Sequence, residues 1–188
     1  MMLRWAIATA GALALALLTL NVPMPWAPAL HESSGTDEAS AVDGAVCDAK
    51  SKPANLNFTL KDAANKDLTI SAYKGKVIVL DFWATWCEPC KLEIPGFVDL
   101  QNKYGAKGLQ FVGIQVEDKP ELLKPFAEEY KINYPVLQGT DRDDLQDAFG
   151  PIFGIPTTVV ISRDGRICRK HPGYTKKDVF EREIKALL

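Results

Sequence analysis

Apolar residues are spread along this chain in three regimes, and each predicts something different. Residues 5–20, WAIATAGALALALLTL, carry no charge and present no polar face, as in a segment that leaves water for lipid rather than a helix lying on a core. Residues 31–48, HESSGTDEASAVDGAVCD, are small, polar and acidic, with too little apolar surface to offset the entropy of ordering them. From about residue 53 onward apolar positions recur at strand and helix periods. The expected organisation is a signal peptide or N-terminal membrane anchor at 1–30, a flexible polar linker at 31–52 and a folded domain at 53–188.

Within the folded part, residues 57–60 and 68–71 predict short strands around a polar turn, and VIVLDFW from Val77 predicts a central strand. Between Lys91 and Tyr104, the positions Leu92, Ile94, Phe97, Val98 and Leu100 lie at near-helical spacing, with Gly105 as the stop. A second strand (109–116), a helix opening on Pro120 and Glu121 (120–130), a short strand (134–137) and a short helix (144–149) follow. TTVVIS (157–162) and RICRKH (166–171) flank Arg163-Asp164-Gly165 as a hairpin, and a helix over 176–188 ends the pattern. The predicted class is α/β: a central mixed β-sheet flanked by helices on both faces, with a short N-terminal β extension and a central insertion.

Charge narrows the partners. The 188 residues hold 22 Lys and Arg against 24 Asp and Glu, which builds no field that would gather the chain on nucleic acid. MMLR places positive charge before the apolar run, so Arg4 is expected in the cytoplasm and the rest outside it. Two fates of the leader stay open: cleavage after Ala27-Pro28-Ala29, or retention as an anchor in the inner membrane. The expected location is periplasmic or otherwise extracytoplasmic.

The chemistry lies in FWATWCEPCKLEIP, residues 82–95, which holds two of the four cysteines. A Cys-x-x-Cys between a strand and a helix puts the first sulfur at the helix N-terminus, where unpaired N–H groups and the helix dipole stabilise a thiolate. Cys87 is then the nucleophile, and Cys90 attacks the mixed disulfide that Cys87 forms. Pro89 suits the first helical turn because it gives up no hydrogen bond there. Glu88 between the cysteines opposes a thiolate yet favours the helix terminus, so its net effect has no predicted sign. A zinc site is the rival reading, but with two isolated cysteines and two histidines elsewhere it lacks ligands. Asp81, inside the apolar strand, loses solvation there, which raises its pKa and suits it to general-base work.

DFWATWCEPCK resembles the active-site segment of the thioredoxin superfamily, and the domain from about Asn55 is similar to the membrane-anchored TlpA/ResA-like thiol-disulfide oxidoreductases. Gly154-Ile155-Pro156-Thr157 matches the loop where that superfamily holds a cis-proline, and Pro95 matches its helix-kinking proline. The resemblance implies that Ile155 and Pro156, with Trp86, Glu88 and Pro89, face the substrate. Trp83 reads equally as site cover or as core. Asp81 matches the buried acid of thioredoxin, whereas Glu93 matches the acid of the TlpA/ResA-like CxPCxxE pattern. Both are acidic here, which departs from either pattern alone. A helical Glu is ordinarily solvated surface and a strand Asp among apolar neighbours is not, so Asp81 ranks above Glu93 as the base.

In an exported chain the remaining Cys47 and Cys168 are expected to pair as a structural disulfide, as in some TlpA-like proteins, with free thiols or an electron relay as alternatives. His171 reads as a surface strand residue without a partner. The implied function is an exported reductase of protein disulfides, such as those of apocytochrome c or of oxidase copper-site cysteines. A thiol-disulfide relay protein in the membrane would recharge it, and no cofactor or metal is needed. A dithiol oxidase or isomerase and a copper-binding module are the alternatives. A peroxidase is disfavoured, since Thr85 is two residues before Cys87 rather than three.

Overall fold

The structure is a computed structural model that describes residues 46–48 and 50–188. The leader and most of the linker lie outside the described residues, and among the described residues no helix is long and apolar enough to cross a membrane. The elements run β1 (Thr59–Lys61), β2 (Asp67–Thr69), β3 (Val77–Trp83), α1 (Glu88–Tyr104), β4 (Leu109–Gln115), α2 (Leu123–Glu129), β5 (Val136–Gln138), α3 (Asp143–Ala148), β6 (Thr157–Ile161), β7 (Ile167–Pro172) and α4 (Lys177–Leu187). Strands β5-β4-β3-β6-β7 form a mixed sheet, parallel from β5 to β3 and antiparallel from β3 to β7; β1 and β2 make a separate hairpin.

Strand β3 is buried along its whole length, as expected of a central strand covered on both faces. Its alternation divides two apolar clusters. Val77, Val79 and Trp83 join Phe97 and Leu100 of α1, Phe126 of α2 and Phe180 of α4. Ile78, Leu80 and Phe82 join the β1 side, with Leu60, and Leu145 of α3. Asp81 therefore projects to the side covered by α1, α2 and α4. Beside it Gly113 of β4 makes room for a large neighbour, because a Cβ there would come within 2.8 Å of the Trp83 indole nitrogen.

Element boundaries differ from the sequence pattern for local reasons. Helix α1 begins at Glu88, three residues before the apolar periodicity, since Cys87 caps it and Pro89 occupies its first turn. The strand expected at 68–71 stops at Thr69, where Ile70–Tyr73 winds into a 3-10 turn and buries Ile70. Pro135 has no N–H for the ladder, so β5 starts at Val136, two residues later than expected, although the Pro135 carbonyl still accepts from Gly113 N–H at 2.9 Å.

Candidate active site

The last residues of β3 deliver the chain to a loop tied down from the neighbouring strand. Thr85 N–H donates to Asp118 Oδ2 at 2.7 Å, and the Trp86 indole N–H donates to the Glu117 carbonyl at 3.0 Å. Asp118 and Glu117 lie just beyond β4; their role was not legible in the sequence, where they read as ordinary polar loop residues. Cys87 then takes the N-cap of α1, and its Sγ accepts the Cys90 N–H at 3.3 Å. A capping sulfur that receives a backbone N–H at the positive end of a 17-residue helix is stabilised as an anion once its disulfide opens. Cys87 and Cys90 are joined, with Cα atoms 5.3 Å apart. Cys87 is 3% exposed and Cys90 fully buried, so attack from outside reaches Cys87 first.

Of the expected substrate-facing residues, Trp86 is 56% exposed, and Glu88 and Pro89 are also at the surface. Glu88 pairs with Lys91 at 2.7 Å. The Ile155–Pro156 bond is cis, and the Pro156 carbonyl accepts from Gly173 N–H at 2.7 Å. Phe82 pairs with Thr157, which puts Pro156 at the level of Trp83, at the end of the sheet that carries the cysteines. Pro156 itself is buried and Ile155 half-buried. Beside this loop is a cleft of about 520 Å³ lined by Phe153, Ile155, Thr157, Lys170 and Pro172. Phe153, 95% exposed on the rim of this cleft, is a residue the sequence pattern did not single out. Trp83 belongs to the core: it is 1% exposed, with its ring 4.7 Å from that of Phe126.

Two acids lie behind the cysteines. Asp81 is 1% exposed, and burial pushes its carboxyl well up; the Glu93 charge adds to this, and a hydrogen bond from the Thr158 hydroxyl at 3.4 Å opposes it. Glu93 departs from the expectation of a solvated helix surface, being only 4% exposed. It follows Cys90 by one turn on the inward side of α1, which the helical period should have shown, since Cys90, Glu93, Ile94 and Phe97 form one buried stripe. Burial raises its pKa to about 7, against the opposing Thr175 N–H, donated to Oε1 at 2.6 Å, and the attraction of His171. Its Oε2 has no hydrogen-bond partner. The ranking of Asp81 over Glu93 on solvation grounds therefore falls away. Tyr134, fully inside, is pushed well up by burial and by both acids, which keeps it neutral beside them.

His171 also departs from its expected place. It is partly buried, with Nε2 at 2.9 Å from Glu183 Oε2 of α4. Cys47 and Cys168 are joined, with Cα atoms 4.3 Å apart, and Cys168 lies toward the end of β7 remote from Cys87. Among the described residues no group of three or more His, Cys, Asp or Glu is placed to hold a metal ion.

Known proteins place this arrangement. The chain is 34% identical to a thioredoxin-family thiol:disulfide interchange protein of Chlorobium tepidum TLS, whose crystal structure superposes with a TM-score of 0.68 over 75% of this chain and 99% of that one. It is 35% identical over 113 residues to the thiol-disulfide oxidoreductase ResA of Bacillus subtilis, spanning 60% of this chain and 62% of that protein. A ResA of Bacillus thuringiensis is 28% identical over 131 residues, 70% of this chain and 75% of the relative. The profile of the AhpC/TSA family matches residues 52–170. With its cysteine pair at the head of α1 and relatives named for thiol-disulfide exchange, the chain belongs to the AhpC/TSA family and is a thioredoxin-like thiol-disulfide oxidoreductase.

Proposed function

We propose that this chain works outside the cytoplasm as a reductase of protein disulfides, with Cys87 as the attacking group and Cys90 as the resolving one. The observation that carries the reading is the asymmetry of the pair: Cys87 sits at the helix N-cap and is the more exposed, while Cys90 is enclosed beside two acids of raised pKa. The Cys87 thiolate attacks a substrate disulfide and expels one substrate sulfur as thiolate. Cys90 gives its proton to the acid pair and attacks Cys87 Sγ, releasing the second substrate sulfur. The substrate gains two electrons, and the protein is left with the Cys87–Cys90 disulfide. Recharging needs an external dithiol, for which a thiol-disulfide relay protein in the membrane is the donor this reading requires.

A leader with Arg4 ahead of an uncharged apolar run supports export and retention at the inner membrane. Trp86, Phe153 and the half-buried Ile155 supply the apolar surface for an extended substrate segment, Pro156 lies buried behind Ile155, and apocytochrome c or the copper-site cysteines of an oxidase are the substrate classes proposed. Residues 1–30 are then the leader, 31–52 a linker and 53–188 the catalytic domain. The test is capture with Cys90→Ala in the exported compartment: without a resolving thiol, partners remain bonded to Cys87. Recovery of no covalent partner, together with unchanged insulin reduction by Cys87→Ala, would sink the reading. A reduction potential above about -180 mV would reverse the proposed direction.

A further inference from the structure

The Cys87 N–H closes a turn on the carbonyl of buried Ala84 at 3.2 Å, so Thr85 and Trp86 alone connect the core to the nucleophile. Both are gripped from the loop after β4: Thr85 N–H donates to Asp118 Oδ2 at 2.7 Å and the Trp86 indole N–H to the Glu117 carbonyl at 3.0 Å. That loop is itself held from several sides. Lys119 N–H donates to Asp118 Oδ1 at 2.8 Å. The Thr140 hydroxyl donates to the Asp118 carbonyl at 2.8 Å and accepts the Asp118 N–H at 3.4 Å. Gln115, buried at the end of β4, turns its amide nitrogen to the Lys119 carbonyl at 3.3 Å and leaves its own Oε1 unpartnered. Glu117 has φ +51°, a backbone conformation that a non-glycine residue keeps only where its surroundings enforce it. Partial burial pushes the Asp118 carboxyl up, but hydrogen bonds from Thr85, Lys119 and Gln115 outweigh it and hold that carboxyl below the usual range. The catalytic steps above make no use of Asp118.

We propose that Asp118 is a positioning residue for the nucleophile: through Thr85 it clamps the turn of residues 84–87 and so keeps Cys87 Sγ at the helix cap when the disulfide is open. The inference rests on the reductase reading and adds a component to it. In the oxidised protein the bond to Cys90 fixes Cys87 Sγ by itself. Reduction removes that bond, and the turn is then what keeps the sulfur at the Cys90 N–H that it accepts at 3.3 Å. A sulfur that drifts from the cap loses the N–H groups and the helix dipole that favour its anion. In the step concerned, an electron pair of the Cys87 thiolate forms the bond to one substrate sulfur, and the other leaves with the pair of the broken S–S bond. The clamp touches neither substrate sulfur. Charged side chains around the turn are Glu88 and Lys91 on α1, which pair with each other at 2.7 Å, and Glu117, Asp118 and Lys119 after β4.

The test uses the reduced full chain and follows alkylation of Cys87 by iodoacetamide, resolved by mass spectrometry, as a function of pH. Asp118→Ala moves the midpoint to higher pH by about one unit, the scale of losing the helix-end contact of the anion. Below that midpoint, its first exchange with 5,5′-dithiobis(2-nitrobenzoate) slows about threefold, since a more basic sulfur regains in nucleophilicity roughly half, on a logarithmic scale, of what it loses in thiolate. Asp118→Asn keeps an oxygen for the Thr85 N–H and holds the midpoint near the wild-type value, which separates the clamp from the charge. A role confined to stability would lower the urea midpoint of both redox forms and leave the Cys87 ionisation where it is. An unmoved midpoint in Asp118→Ala, an equal shift in Asp118→Asn, or a shift to lower pH in either variant overturns the inference and leaves the reductase reading standing. A wild type that reduces no insulin removes the reductase reading and this inference with it. Should Asp118→Ala not fold, Thr140→Val decides: it removes both bonds from the Thr140 hydroxyl to the Asp118 backbone, so an alkaline shift supports the proposal and an unmoved midpoint overturns it.

Discussion

Replacing Glu93 with glutamine should stabilise the protein in a pH-dependent way. The substitution keeps an oxygen for the Thr175 N–H and removes a carboxyl that the fold prefers protonated. Its pKa is raised from 4.5 to about 7 by burial. The folded state therefore holds a proton that the unfolded state has released between those values, and wild-type stability falls as pH rises through that window. At about 1.4 kcal/mol per pH unit, the displacement corresponds to roughly 3 kcal/mol, all of it present above pH 7. Urea unfolding of the oxidised proteins, followed by tryptophan fluorescence, should show Glu93→Gln ahead of wild type by about 3 kcal/mol more at pH 8 than under acid conditions, where both side chains are neutral. Any pH-independent cost of burying the amide cancels in that difference. A gap between the two proteins that stays constant from pH 5 to pH 8 would refute the argument, because it would mean that Glu93 is not held protonated by its surroundings.

Three further outcomes follow from other parts of the molecule. Asp81→Asn should slow the resolving step on the order of a hundredfold, the usual worth of a positioned proton acceptor, and leave the first attack by Cys87 nearly unchanged; rapid-mixing kinetics separate the two. Replacing both Cys47 and Cys168 with serine opens a loop of 121 residues and should cost about 5 kcal/mol in urea unfolding, with insulin reduction retained; equal loss of activity would indicate a relay rather than a staple. Gly113→Ala drives a methyl group to within 2.8 Å of the Trp83 indole and 3.1 Å of Val136, and calorimetry should show a loss of about 1 to 3 kcal/mol.

Much of the fold and the centre of the site were legible in the chain because their signals are local. A β-rich run leading into Cys-x-x-Cys and then into an apolar helical period announces strand, capped helix and nucleophile within some two dozen consecutive residues, and local hydrogen bonding suffices to form that sequence of elements. Glu93 was legible in part. Its offset from Cys90 places both on one stripe of α1, yet the apolar positions Leu92 and Val98 blur that stripe; Leu92 turns out to be 70% exposed. The tie from Asp118 to Thr85 spans 33 positions, and nothing near either residue predicts it.

The sequence by itself determined the type and order of the elements, the cysteine spacing and the uncharged apolar run of residues 5–20, since each depends on neighbours a few residues apart. Tertiary structure alone decided that Asp81 and Glu93 share one enclosed space, that His171 meets Glu183 beneath α4, and that Trp83 belongs to the core. Those outcomes depend on strand register and on which helix covers which face of the sheet, and both are set by burial summed over segments as distant as residues 81 and 171. A side chain's desolvation, and with it the acid strength on which the proposed exchange at Cys90 depends, is a property of that enclosure and has no counterpart in the linear chain.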